Sequence, residues 1–150
     1  MAKKLENSAS IDSLNHLLAA YTITAQNARF CHWNVLGPVF EDNHEIFGET
    51  YDMLSDQVDV FAEQIRILGE YPMSKLADYL KETKIEEIDG TLSAAEMQKS
   101  LHDNLLHISD EMSQFIEDTD SDPCTQDVII AAKKDIDKKR WMLRAMTGKK

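Results

Sequence analysis

The sequence predicts an all-α fold, a four-helix bundle, and three observations lead to this class. Apolar residues recur at alternating steps of three and four, which is the spacing of one face of an α-helix. Proline and glycine fall almost entirely between the periodic segments. No segment shows the strict alternation of a half-buried strand. The periodic windows are residues 10–36, 39–68, 92–119 and 124–147.

The first two windows are separated by a short turn, so they should form a helical hairpin. The turn contains Gly37-Pro38, two residues that disfavour continuation of a helix. The apolar stripe of the first helix runs from Leu14 to Val35, and that of the second from His44 to Leu68. The narrow stripes are typical of bundle helices that cross at about 20°.

The last two windows form a second hairpin with clear start signals. Ser93 and Glu96 have the spacing of a capping box, and Pro123 stands at the start of the last helix. Residues 70–91 connect the two hairpins and contain a short amphipathic piece, Ser74–Thr83. Such a long crossover, with a short extra helix between the second and third helices, is typical of the ferritin-like version of the bundle.

Length and composition predict one domain over residues 1–150, with short flexible tails at about 1–8 and 148–150. No apolar run approaches the ~20 residues that a membrane span needs. The N-terminal segment MAKKLENSAS has no apolar centre and does not resemble a secretory signal. The only cysteines, Cys31 and Cys124, form no paired motif, which favours a reduced cytoplasm.

The charge balance disfavours nucleic acid as a main partner. The formal net charge is −11, so the surface should repel phosphates and attract cations. The lysines that stand apart from acidic residues lie at the chain ends: Lys3, Lys4, Lys149 and Lys150. We therefore expect DNA binding to be weak or absent, because so few lysines neutralise few phosphates.

Four side chains of metal-ligand type are placed around the first turn and along the second helix. His32 and His44 lie on apolar stripes on either side of the Gly37-Pro38 turn. Asp59 and Glu63 follow at i, i+4 and share one side of the second helix. Histidines on an apolar stripe also occur as core residues, and paired acids also occur as a solvated helix face. Spacing alone leaves both interpretations open.

If the four residues bind one metal, they must come from two chains. His44 and Asp59 are fifteen residues apart on one helix, which separates them by about 22 Å along its axis. Metal–ligand bonds are only about 2 Å long. A two-fold axis would bring the histidines of one copy to the acids of another, and an isologous interface makes each such site twice.

Other metal and catalytic patterns fit poorly. His44-Glu45 starts like a helical zinc-protease motif, but Gly48 stands where the second histidine is required. Glu41 and His44 match half of a di-iron bundle motif. The other half is missing, since Asn104 precedes His107 and the fourth helix has no histidine. An iron pair within one chain is therefore not expected.

The residues around the histidines resemble the signature of the Dps family, the mini-ferritins known as DNA-binding proteins from starved cells. The resemblance covers most of the chain. It rests on HWNVxGxxFxxxH from His32 to His44, on Tyr51, on DxxAExI from Asp59 to Ile65, and on the C-terminal segment 136–142.

The resemblance implies a dodecameric shell of 23 symmetry that oxidises ferrous ion between subunits and stores ferric iron inside. The implied oxidant is hydrogen peroxide, with dioxygen as the other candidate, and the implied benefit is protection from oxidative damage. Trp33, beside the site, is a candidate redox neighbour or a packing aromatic. The implied iron pores would be lined by Asp120, Asp122 and Asp127. The alternative interpretation of these three residues is that they cap and solubilise the start of a helix. The residues on the family's metal-ligand positions are His32, His44, Asp59 and Glu63.

Two positions depart from the family pattern. Gly48 stands where many members have an acidic ligand, and Gln64 stands where arginine is common. Glu45, Glu49 or Asp52 are candidate substitutes for the missing acid. Gly48 should limit the occupancy of a second iron. Replacement by aspartate removes a helix-interior glycine, so stability should fall little, and the added oxygen ligand should tighten the weaker iron and speed oxidation. The alternative is a structural or DNA-compacting shell with weak or vestigial metal sites.

Overall fold

The computed structural model describes residues 2–150, with side chains from Asn7 onward. Over this range the chain is helical and contains no strand. The flexible tail expected at about residues 1–8, with Lys3 and Lys4, falls largely outside the described side chains. The helices are α1 (Ala2–Asn34), α2 (Phe40–Ile67), α3 (Leu76–Glu82), α4 (Ala94–Asp118) and α5 (Pro123–Met146).

The fold confirms the predicted four-helix bundle with a short extra helix in the crossover. The long helices form two hairpins, since α1 packs mainly on α2 and α4 mainly on α5. The short α3 lies in the crossover and contacts α1. The first helix begins well before the predicted window at residue 10 because the charged N-terminal segment lacks the apolar spacing on which that prediction relied.

The helix ends follow the predicted local chemistry. Ser93 and Glu96 form a complete capping box, with each side chain bonded to the other residue's backbone N–H. Pro123 occupies the first turn of α5. At Gly37, which begins the turn into α2, φ is +122°, a conformation that side-chain-bearing residues rarely adopt.

One apolar core runs through the bundle. Tyr21 of α1 meets Phe61 of α2 edge-on, with ring centroids 4.9 Å apart, and both side chains are buried. The predicted stripes supply the other core positions. None of the described helices is long and apolar enough to cross a membrane. Fully buried members from the four long helices include Leu14, Leu18, Phe47, Leu54, Ile65, Leu101, Leu105, Ile108, Ile129, Ile136 and Leu143.

Candidate metal centre

The two predicted histidines meet across the turn between α1 and α2. His32 lies near the end of α1, and His44 lies in the first turns of α2. Their imidazole rings stack with centroids 3.6 Å apart and planes 16° from parallel. Phe40 stacks on His44 in turn, at 5.0 Å. The structure therefore brings these two candidate ligands together within one chain.

Each histidine ring is also hydrogen-bonded to the backbone of the other helix. His32 Nδ1 donates to the carbonyl oxygen of His44 at 2.6 Å, and His44 Nδ1 donates to that of His32 at 2.7 Å. A carbonyl oxygen only accepts, so Nδ1 carries the proton in both rings. In a neutral imidazole this leaves the lone pair on Nε2, and the bond at Nδ1 fixes the ring for metal binding. The pair is thus a preorganised two-nitrogen half-site.

Gly48 leaves the space that the His32 ring occupies. A Cβ at position 48 would lie 3.1 Å from both Cε1 and Nδ1 of His32. This is tighter than ordinary van der Waals contact, and the ring is held by its stack and its hydrogen bond. The expectation for Gly48→Asp considered helix stability and the added ligand, and the structure adds the neighbouring imidazole. A side chain at position 48 would therefore require the His32 ring to shift by a few tenths of an ångström.

An aromatic and a cation lie beside the histidines. The Tyr51 ring stands edge-on to His32 with centroids 5.4 Å apart. The Arg29 guanidinium lies 4.9 Å from the centre of the Tyr51 ring and donates to Ser55 Oγ at 2.9 Å. Sequence reasoning did not single out Arg29, although it stands three residues before His32 and so on the same side of α1. A positive charge next to the site favours anionic groups there.

One of the three acids considered as a substitute ligand is already engaged. Glu49 accepts a hydrogen bond from Lys139 Nζ at 2.7 Å, an ion pair between α2 and α5. The Lys139 side chain is only 11% exposed and the Glu49 side chain is 51% exposed, so solvent reaches the carboxylate side of the pair. Glu45 and Asp52 are exposed on α2 and remain as candidates. Nothing in the sequence distinguishes Lys139 from the lysines around it.

The structure does not bring Asp59 and Glu63 to the histidines of the same chain. Both acids are exposed on α2, which is continuous from Phe40 to Ile67. The separation of about 22 Å from His44 to Asp59 along the helix therefore stands. Among residues 7–150, whose side chains are described, no three or more His, Cys, Asp or Glu are placed to hold a metal ion.

Large apolar side chains are exposed near both halves of the candidate site. Trp33 is 64% exposed beside the histidines, and Val60 is 43% exposed beside Asp59. Exposed apolar surface of this kind marks protein–protein contacts. Within one chain Trp33 is therefore not a buried packing aromatic. Other exposed members near the ends of α2 are Leu36, Val39, Phe40, Ile67 and Tyr71.

The candidate pore residues lie around the start of α5. Asp122 is the N-cap, and its Oδ1 accepts from the backbone N–H of Thr125 at 3.3 Å. Asp120 and Asp127 are exposed. The capping role is therefore observed for Asp122, and the pore role of the three aspartates stays a prediction.

Comparison with known proteins assigns the family. A family model described as a ferritin-like domain matches residues 11–150. A DNA protection during starvation protein from Brevibacillus brevis is 34% identical over 134 residues, covering 88% of this chain and 90% of the relative.

Solved structures of similar proteins share the fold over almost the whole chain. Dps from Thermosynechococcus elongatus matches with a TM-score of 0.94 at 26% identity, covering 100% of this chain and 97% of its own. Dps from Microbacterium arborescens in the high iron form matches with a TM-score of 0.90 at 25% identity, covering 96% and 95%. The chain therefore belongs to the Dps family of ferritin-like proteins.

Proposed function

We propose that this protein oxidises ferrous ion and stores the ferric product inside a cytoplasmic shell of twelve copies, which protects the cell from oxidative damage. The observation that carries the proposal is the stacked pair His32–His44, in which each Nδ1 bond leaves Nε2 for a metal. Family membership supports the iron-storage role, and a structural relative is known in a high iron form.

Each oxidation site would form between two copies related by a two-fold axis. His32 and His44 of one copy would bind the ferrous ion, and Asp59 and Glu63 of the other copy would complete the site. Imidazole nitrogen suits iron, and carboxylate oxygen suits the harder ferric product. The exposed apolar side chains beside both halves support contact between copies there.

Hydrogen peroxide is the proposed oxidant, with dioxygen as the alternative. One hydrogen peroxide molecule takes up two electrons and two protons and is reduced to two water molecules, so two ferrous ions are oxidised for each peroxide. This reaction removes ferrous ion and peroxide together. The two reactants would otherwise form hydroxyl radical.

Complementation between subunits tests the shared site. The His32→Ala/His44→Ala variant and the Asp59→Ala/Glu63→Ala variant should each be inactive in ferrous oxidation. After the two proteins are dissociated, mixed and reassembled, a hybrid two-fold interface contains one site with all four ligands. We expect oxidation, followed as near-ultraviolet absorbance after anaerobic ferrous loading and peroxide addition, to recover in part.

The controls for this experiment are each variant taken alone through the same dissociation and reassembly. Native mass spectrometry verifies that the shells contain both variants. Mixed shells without any recovered oxidation would contradict a site built from two chains.

Iron entry through the acidic start of α5 is a second prediction. Three copies meeting there would gather up to nine carboxylates from Asp120, Asp122 and Asp127 and attract a divalent cation. In the Asp122→Asn/Asp127→Asn variant, iron uptake should slow and lose much of its salt dependence. Asparagine also caps helices well, so α5 should keep its start. Stopped-flow measurement of iron uptake at low and high salt tests this prediction, and the size of the assembled shell is the control. Unchanged uptake at low salt would leave the aspartates with only the capping role.

A structural or DNA-compacting shell is the less favoured function. Gly48 suggested a vestigial site, but it makes room for an ordered histidine pair. The net charge of −11 opposes contact with DNA phosphates.

A further inference from the structure

His16 lies between two carboxylates that belong to two other elements of the fold. Its Nδ1 is 3.1 Å from Glu82 Oε1 at the end of α3, and its Nε2 is 3.0 Å from Glu111 Oε2 in α4. The His16 side chain is 17% exposed. One ring on α1 thus joins α3 and α4, far along α1 from the candidate metal centre.

The two contacts define the charge of the ring. Carboxylate oxygens accept hydrogen bonds, so both ring nitrogens must donate, and only the imidazolium has two N–H groups. The hydrogen bond to Glu111 raises the pKa of His16 above 6.5, and Glu82 adds to this against the opposing effect of burial. Burial opposes ionisation of Glu111, but the hydrogen bond and charge of His16 outweigh it and lower the pKa of Glu111.

Few other groups face this contact. His107 Nε2 is 3.1 Å from the second oxygen of Glu111, and the Lys84 charge acts on the same carboxylate. The Phe115 ring of α4 stands edge-on to His16 at 5.4 Å and keeps water from that side. His16 is therefore the side chain that contacts both Glu82 and Glu111, and His107 and Lys84 add positive charge near Glu111.

The crossover is attached to α1 by few polar contacts. Asn15 accepts from the backbone N–H of Met73, and Asn27 bonds the backbone of Glu86 and Ile88, all at 2.9 Å. Neither asparagine titrates. The bond from His16 of α1 to Glu82 of α3 differs, because histidine loses a proton near neutral pH.

We propose that His16 is a pH-operated latch, which as an imidazolium holds α3 against α1 and α4 and on losing its proton releases α3. The outer side of α3 carries Leu76 and Leu80, which are 65% and 44% exposed. Release of α3 would therefore move an apolar surface. The proposal does not depend on metal binding.

The pH range follows from the direction of the pKa shifts. Below pH 6.5 both the closed and the released forms hold the His16 proton, so pH has no effect through this group. Release of α3 removes the contribution of Glu82 to the raised pKa of His16 and leaves that of Glu111. Between the pKa of His16 in the released form and its higher pKa in the closed form, release frees the proton, so the opening constant should rise with pH. Above the raised pKa it should level off.

Hydrogen exchange of the assembled protein tests the latch. Exchange rates of peptides covering residues 76–88, divided by the intrinsic rates at each pH, give the opening constant. The wild type should follow the described rise above pH 6.5. His16→Gln should show at all pH values the high opening constant that the wild type reaches above the raised pKa. Glutamine has no proton to lose in this range.

His102→Gln is the matched control, because the contact described for His102 is with its neighbour Asp103 in α4. This variant should behave like the wild type. Glu82→Gln removes just the α3 partner, whose side chain is 41% exposed, and should raise opening with a shallower pH slope even if His16→Gln fails to fold. Titration of His16 by NMR should give a midpoint above 6.5. The proposal would be overturned if the opening constant of the wild type did not change above pH 6.5, or if His102→Gln changed it as much as His16→Gln. A titration midpoint of His16 at or below 6.5 would also overturn it.

Discussion

Replacement of Gly48 by alanine is expected to weaken metal binding by the histidine pair roughly 10- to 100-fold, the range found when a group that orients a ligand histidine is lost. The added Cβ would lie 3.1 Å from the His32 ring. The ring cannot retreat without disturbing its 2.6 Å bond to the His44 carbonyl or its stack on His44. A shift of a few tenths of an ångström would then move Nε2 from the position set by the stack and the hydrogen bond.

The same substitution should stabilise the helix less than usual. Alanine in place of a mid-helix glycine gives about 1 kcal/mol where space is open. Here part of that gain is offset by the displaced ring and the loss of a hydrogen bond, itself worth about 1 kcal/mol. We therefore expect little net change in the free energy of unfolding while metal affinity falls.

Gly48→Asp separates two effects: the contact of an added Cβ with the His32 ring, and the gain of an acidic ligand that many family members have at this position. It adds an oxygen ligand but the same Cβ, so we expect affinity below that of the wild type. Calorimetric titration with Co²⁺ or Zn²⁺ measures the affinity, and NMR of the imidazole nitrogens reports the position of the His32 ring. Met53→Leu, a conservative change on the same helix, is the control. Tighter binding and more iron per subunit in Gly48→Asp would show that the ring moves at little cost.

The helical fold was predictable because its signals are local. Apolar spacing, the Ser93–Glu96 capping box and Pro123 each act within one or two turns of helix, and the structure has them where the sequence predicts. The start of α1 was placed too late because the segment before residue 10 carries charged and small residues with no apolar stripe. The long crossover, residues 70–91, was enough to predict that α1 pairs with α2 and α4 with α5.

The candidate site was predictable only in part. The turn at Gly37-Pro38 was enough to place His32 beside His44. The reciprocal Nδ1 bonds and the contact of Gly48 with His32 depend on the exact approach of α1 to α2, which no spacing rule contains. The Lys139–Glu49 pair was missed for a similar reason, because it joins residues ninety positions apart on separate helices. Long-range contacts of this kind carry no signal in a single sequence.

Phe61→Ala is expected to destabilise the chain by about 3–5 kcal/mol, the usual cost of removing a buried phenylalanine. Phe61 is fully buried and meets Tyr21 edge-on at 4.9 Å. Phe61 lies on α2 between Asp59 and Glu63. Its ring, packed on Tyr21 of α1, therefore also fixes the segment of α2 that carries the acidic half of the proposed metal site. Loss of the ring should therefore loosen this segment as well as lower stability.

Thermal unfolding at a fixed protein concentration measures the effect, because assembly makes the midpoint concentration-dependent. For a chain of this size the midpoint should fall by roughly 6–20 °C. Phe61→Leu, which keeps much of the volume but not the edge-on ring contact, should cost clearly less. Ferrous oxidation should fall in Phe61→Ala even at temperatures where the shell stays assembled, since Asp59 and Glu63 lose their support. A midpoint within a few degrees of the wild type would mean that neighbouring side chains collapse into the space and that Phe61 does not position the acids.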